Sequence, residues 1–185
     1  MPSAFTHAAA ASALGAWFYK PDGWRVALAA GVLCAVLPDA DAIGFWAGVP
    51  YDSLLGHRGL THSLPFAAAL AAGATALLDG HVAWSRRRLW WFLFLATASH
   101  GVLDAFTDGG QGIALLSPIS RARYFAPFRP IEVAPISVTG FFTARGLSVF
   151  LSELRWVWLP ALGCAGLAAL WHGWRGPARG HTSTG

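Results

Sequence analysis

Leu89-Trp90-Trp91-Phe92-Leu93-Phe94-Leu95-Ala96-Thr97-Ala98-Ser99-His100-Gly101-Val102-Leu103-Asp104 is a nearly uninterrupted apolar run that closes on an imidazole and a carboxylate four residues apart. In a helix that spacing turns both side chains to one face. The run predicts a helix over Leu89 to Asp108, with Asp108 extending the polar face by four more residues. Three further apolar segments also carry polar ends: His7 opens the first, Pro38-Asp39-Ala40-Asp41 closes the second, and His57-Arg58-Gly59-Leu60-Thr61-His62 opens the third. Alternating helix directions bring all four ends to one side of a bilayer.

The pattern predicts helices over Phe5 to Tyr19, Trp24 to Leu37, Ser63 to Asp79, Leu89 to Asp108 and about Val157 to Trp171. The expected fold class is therefore an all-α integral membrane bundle of four to five helices. Composition agrees: 55% of residues are hydrophobic, 12% are charged and ten are tryptophan, a balance suited to lipid contact. Several runs fall short of the roughly 20 apolar residues of a full span, so embedding is a firmer expectation than the number of crossings. Residues 1–172 form one domain in this reading, and 173–185 a polar tail. Ala8 to Leu14 lacks the basic flank of a signal peptide and is read as part of the first helix.

Pro21-Asp22-Gly23 separates the first two helices, Pro38 is expected to end the second, and Gly109-Gly110 follows the fourth. Ser63 suits an N-cap, with Pro65 in the first turn behind it. Gly109 to about Thr143 reads as an ordered cap on the polar side. Leu147 to Trp156 is either an interfacial amphipathic helix or the start of a longer final helix. Arg86-Arg87-Arg88, in a short loop away from the polar ends, favours a site facing out of the cytoplasm.

Cys34 and Cys164 lie within apolar runs as buried free thiols. The net charge of +4 comes from scattered arginines, which gives nucleic-acid binding little support and suits juxtamembrane contact with lipid headgroups. His100 and Asp104 are candidate ligands of one divalent cation, with zinc the default and manganese or iron the alternatives; a simple hydrogen-bonded pair is the plainer reading. Asp39 and Asp41 lie where a helix dipole disfavours negative charge, so a cation or Arg58 should compensate them. One of the two would bind metal while the other orients a histidine, Asp39 ranking before Asp41. His57, Arg58 and His62 precede a helix, where anions are favoured, and suit a metal together with an anionic substrate oxygen. His7 is the most provisional ligand, and Arg121, Arg123, Tyr124 and Arg129 could touch substrate or lipid headgroups.

These elements resemble a bacterial family, the LexA-regulated, inner-membrane-associated metal-dependent hydrolases. The likeness rests on His7, Leu37-Pro38-Asp39-Ala40-Asp41, His57 through Ser63, Ser99 through Asp104, and Ser117-Pro118 through Phe125. It implies a membrane-bound hydrolase with a divalent metal. A more distant similarity is to zinc-dependent phospholipase C, which implies His7, Asp39 or Asp41, His62 or His57, His100 and Asp104 as ligands, with Asp104 as a bridge. Glu132 and Glu153 are spare carboxylates without the histidines that would complete that enzyme's set.

The expected activity is hydrolysis of an anionic, lipidic ester or phosphoester, with membrane lipid as the partner. Asp41 or Asp108 would take the proton, and Arg58 or His57 would stabilise developing charge. The competing expectations are a non-catalytic membrane protein with a structural or sensory ion and, less favoured, a transporter.

Overall fold

The computed structural model describes residues 1–135 and 139–174. The tail beyond 174, with Arg175, Arg179 and His181, lies outside the described residues. Among them the chain is all-helical apart from isolated bridges pairing Thr107 with Ile131 and Ile113 with Tyr124.

Helix α1 spans Ala4–Trp17. Helix α2 begins as Trp24–Val36, tightens into a 3-10 run over Leu37–Ala42 and ends with an α turn over Ile43–Trp46. Pro38 therefore does not end the helix. It sits in the first turn of the 3-10 segment, where its missing N–H is tolerated, and the backbone runs on. Helix α3 spans Leu64–Leu77, with the Ser63 hydroxyl accepting the Phe66 N–H and Pro65 in its first turn.

Helix α4 spans Arg86–Ala105, so the arginine triplet forms its first turn, capped by Ser85. Its last helical residue precedes Asp108 by three, and Asp108 does not continue the His100/Asp104 face. Helix α5 begins as Ala144–Glu153, passes through a π turn over Leu154–Trp158 and finishes as Leu159–Trp174. Leu147 to Trp156 is accordingly the start of the final helix rather than a separate surface helix.

Helix α4 is the centre of the bundle and packs on α1, α2 and α3, while α1 also packs on α2 and α5. Its buried residues, Leu89, Phe92, Leu93, Ala96, His100 and Asp104 among them, recur at three- and four-residue spacing. One stripe is thus apolar core near its start and polar site near its end. Phe92 reaches α2 closely enough that a Cβ on Gly31 would strike its ring. Two elements, Trp24–Trp46 of 23 residues and Ala144–Gly173 of 30 residues, are long and apolar enough to cross a bilayer. Only 28% and 11% of their most apolar windows is buried within the protein, so both turn most of their apolar surface outward, as helices that cross a bilayer do.

The segment after α4 is ordered over its described part. Arg123 donates to the carbonyls of Tyr51 and His57, at 2.9 and 3.2 Å, and Ala114 N–H donates to Arg58 O at 3.1 Å. Arg123 thus staples the cap onto the His57–His62 turn, and Arg129 lies over the Phe125 ring.

Candidate metal centre

Each ring in the centre is aimed by a specific backbone arrangement. His100 Nδ1 lies 2.7 Å from the carbonyl of Ala35. A 3-10 turn would have called on residue 38 to donate to that carbonyl, and proline has no N–H, so the imidazole takes the donor's place. His100 Nε2 is thereby turned inward.

Asp39 and Asp41 are two apart in the 3-10 run and point to different sides of His62. Asp39 Oδ1 is 3.5 Å from His62 Nε2 and 3.2 Å from His100 Nε2. Asp41 faces the other edge of the ring, with Oδ2 3.2 Å from His62 Nδ1. Asp41 also lies 2.6 Å from His57 Nδ1 and accepts the Thr61 hydroxyl at 2.5 Å. The Thr61 hydroxyl, 3.0 Å from His62 Nδ1, and the Asp41 carboxylate beside it engage that ring nitrogen and leave Nε2 free to ligate.

Asp104, fully buried, sits between the remaining groups. Its Oδ2 is 3.4 Å from His62 Nε2 and 4.0 Å from His100 Nε2, and its Oδ1 is 3.7 Å from His7 Nε2. His7 stacks on His100 with ring centroids 3.7 Å apart. The ligand atoms of Asp39, His62, His100 and Asp104 all lie within 4.8 Å of one another. Tetrahedral N/O ligands at zinc distances would be about 3.3 Å apart, which the Asp39–His62, Asp39–His100 and Asp104–His62 separations of 3.5, 3.2 and 3.4 Å approach and the 4.0 Å between His100 and Asp104 exceeds.

The donor chemistry fits a cation for a second reason. Both nitrogens of His7, Nε2 of His62 and His100, and both oxygens of Asp39 and Asp104 are buried and have no hydrogen-bond partner. Orphaned buried polar atoms are costly and rare, and here they converge on one place. Asp41, His57 and His62 form a second cluster of candidate ligands, but Asp41 is already engaged there by His57 and Thr61.

Arg58 lies inside the fold rather than facing a substrate. It is 1% exposed, its Nη1 and Nη2 donate to Gly109 O and Thr107 Oγ1 at 2.8 and 3.0 Å, and its Nε is 3.4 Å from Asp104 Oδ2. Its backbone is left-handed at φ 63°, and Gly110 passes so close to the guanidinium that a Cβ would collide with it. This placement corrects the expected substrate clamp, because the charge is directed at Asp104. Asp108 is likewise drawn away: it is exposed, and its Oδ1 accepts the Val133 N–H at 2.8 Å. The remaining candidates, His7, Asp39, Asp41, His57, His62, His100 and Asp104, are brought together.

Gly101, between His100 and Asp104, carries no chemical group of its own yet shapes the site. A Cβ there would strike the carbonyl oxygen of His62, so its bare backbone lets α4 close onto the His62 turn. Only its place inside the His100-to-Asp104 motif could have flagged it.

Burial pushes the His62 imidazole down, but the carboxylates of Asp104, Asp39 and Asp41 outweigh burial and raise its pKa to about 10. The folded value lies above the ordinary value of 6.5, so the stabilisation is full below about pH 6.5 and is lost as pH rises through about 10. A cation at Nε2 must displace this proton. Cation affinity is therefore expected to rise between pH 6.5 and 10, with release of about one proton per ion bound at His62. Calorimetric titration in buffers of different ionisation enthalpy measures that release, and a pH-independent affinity would contradict it.

The sequence profile of the YdjM inner membrane protein family matches residues 1–176. The inner membrane protein YbcI of Escherichia coli strain K12 is 40% identical over 178 residues, covering 95% of this chain and 99% of YbcI. No solved structure matches the chain, and none of these comparisons shows a likeness to zinc-dependent phospholipase C.

Proposed function

We propose that this chain, which belongs to the YdjM inner membrane protein family, is a membrane-bound, metal-dependent hydrolase acting on a lipidic or otherwise anionic ester or phosphoester. The observation that carries this reading is a surplus of donors. Five residues, His7, Asp39, His62, His100 and Asp104, offer unpartnered buried atoms, whereas a closed structural zinc site uses four ligands. Asp104 presents one oxygen to His7 and the other to His62 and His100, so it would help to hold an ion on either side. Zinc fits this nitrogen and oxygen set, as do manganese and iron.

A divalent cation, held by these residues, would supply a water nucleophile at neutral pH and polarise the bond under attack. The protein's own groups do the rest. Asp41 keeps His62 in its ligating tautomer, and His57 and Thr61 hold Asp41 in place. Arg58 opposes the charge of Asp104 from the interior. Asp39 has the most exposed side chain among these donors, at 9%, and its Oδ2 has no partner, so it marks the side from which an anionic substrate enters.

Arg88 and Asp104 are sixteen residues apart on α4, about 24 Å along its axis. With the arginine turn on the cytoplasmic side, the centre faces the periplasm in a multi-pass arrangement. Burial of the donors favours a second reading, a non-catalytic structural or sensory ion.

Elemental analysis of detergent-purified protein and a screen of phospholipids and simple phosphoesters separate the two. The expected result is two ions per chain and a hydrolysis that His100→Ala abolishes. One ion per chain with no hydrolysis would establish the closed site and end the hydrolase reading.

A further inference from the structure

We propose that Glu153 and Trp158 are positioning residues for His7: they lock the first turn of α1 so that the His7 ring meets Asp104. The inference rests on the hydrolytic reading in taking His7 as a ligand. His62 and His100 each have the nitrogen remote from the cluster facing a protein acceptor, Asp41 and the Ala35 carbonyl respectively. His7 has a partner on neither nitrogen. Its direction is therefore set by its stacking on His100 and by the register of α1.

That register is fixed from the other end of the chain. Ser3 is the N-cap of α1 but makes no capping bond with its own side chain. The Glu153 carboxylate accepts instead from Ser3 N at 2.5 Å, Ser3 Oγ at 2.7 Å and Thr6 Oγ1 at 2.8 Å. Trp158 Nε1 donates to the same Thr6 hydroxyl oxygen at 2.7 Å. Ser3, Thr6 and Glu153 are all buried, and a carboxylate at a helix N-terminus is favoured by its free N–H groups and dipole. Thr6 adjoins His7, and His7 N–H bonds back to Ser3 O, so the anchor and the ring share one helical turn.

The π turn accounts for how one helix supplies both groups. In an α-helix, residues five apart point about 140° away from each other. The π turn over Leu154–Trp158 bonds each residue to its fifth neighbour, bringing Glu153 and Trp158 toward a common face. Such turns recur at functional sites. Here it converts an apolar membrane helix into a two-point clamp on Thr6.

The test uses the full chain purified in detergent and follows carbethoxylation of each histidine by mass spectrometry alongside metal content. Glu153→Gln keeps the side-chain shape but offers an amide to hydroxyl and N–H donors. It is expected to speed modification of His7 about tenfold, the equivalent of losing one charge-assisted hydrogen bond, with His62 and His100 unchanged. It is also expected to lose the same single ion as His7→Ala, and the double variant to lose no more. Trp158→Phe, which keeps the ring but removes the donor, gives a milder shift in the same direction and serves if Glu153→Gln does not fold. Leu162→Ala, on the outward face of α5, is the control.

Unchanged His7 reactivity in both variants would overturn the proposal, as would equal acceleration at all three histidines. Unchanged metal content in a Glu153→Gln protein whose His7 has become reactive would also overturn it, by uncoupling the anchor from the centre. Wild-type protein with no bound ion would defeat the hydrolytic reading instead, leaving His7 reactivity to decide the anchor.

Discussion

Asp104→Ala is expected to strip the centre of metal and to destabilise the protein in the same step. The carboxylate contacts the space between three imidazoles, with one oxygen near His7 and the other near His62 and His100. Groups that merely orient a ligand are worth 10- to 100-fold in affinity, so removing the shared one should cost more than about 100-fold. The second loss comes from Arg58. Its guanidinium is 1% exposed and has Asp104 as its nearest carboxylate at 3.4 Å, so alanine leaves a buried charge uncompensated. Breaking a buried pair in this way costs about 3–5 kcal/mol. Elemental analysis and thermal unfolding in one detergent measure both effects. Wild-type metal content in Asp104→Ala would remove Asp104 from the centre altogether.

Gly101→Ala is expected to be nearly as severe, although it removes no functional group. Alanine in place of glycine within a helix ordinarily gains about 1 kcal/mol. At Gly101 the new methyl would meet the His62 carbonyl, a backbone atom that cannot rotate aside. Overpacking of this kind costs about 1–3 kcal/mol and should reverse the sign. The strain falls on His62 itself, forcing its ring away from His100 and Asp104. Metal affinity is expected to drop about 10- to 100-fold, at 1.4 kcal/mol per tenfold. Gly163→Ala, where a Cβ meets nothing within 4 Å, is the matched control and should bind metal as wild type does. Equal behaviour of the two variants would show that the helix–turn contact does not hold the centre together.

Much of this arrangement was legible because the signals were periodic. Four-residue spacing put His100 and Asp104 on one face of α4, and the apolar stripe before them identified that face as the buried one. Ser63 and Pro65 marked the start of α3 for local reasons that need no tertiary context.

What misled was chemistry whose outcome depends on distant partners. Pro38 carried a stop signal, yet a 3-10 turn tolerated it, and the Ala35 carbonyl became available to His100 on α4. Arg58, read within a polar turn, looked poised for an anion. Its left-handed backbone and the bare Gly110 beside it instead draw the side chain into the interior. Gly109-Gly110 was read only as a helix terminator, although α4 ends at Ala105 and Gly110 makes room for the guanidinium. Asp108 follows the four-residue spacing in sequence, but α4 ends three residues before it. Glu153 has no neighbouring histidines in sequence, and its partners are Ser3 and Thr6, about 150 residues earlier.

In the proposed hydrolase the inward-pointing Arg58 would also set an order of loading. Asp39, Asp41 and Asp104 bring three negative charges and Arg58 returns one positive, so with neutral imidazoles these side chains hold a surplus of two negative charges. There a first dication would balance these side chains and meet little resistance. A second would leave them with an excess of two positive charges, a state that an arriving anion would make favourable. Occupancy by the second ion would thereby be linked to the presence of an anionic substrate, each raising the affinity of the other by the same factor.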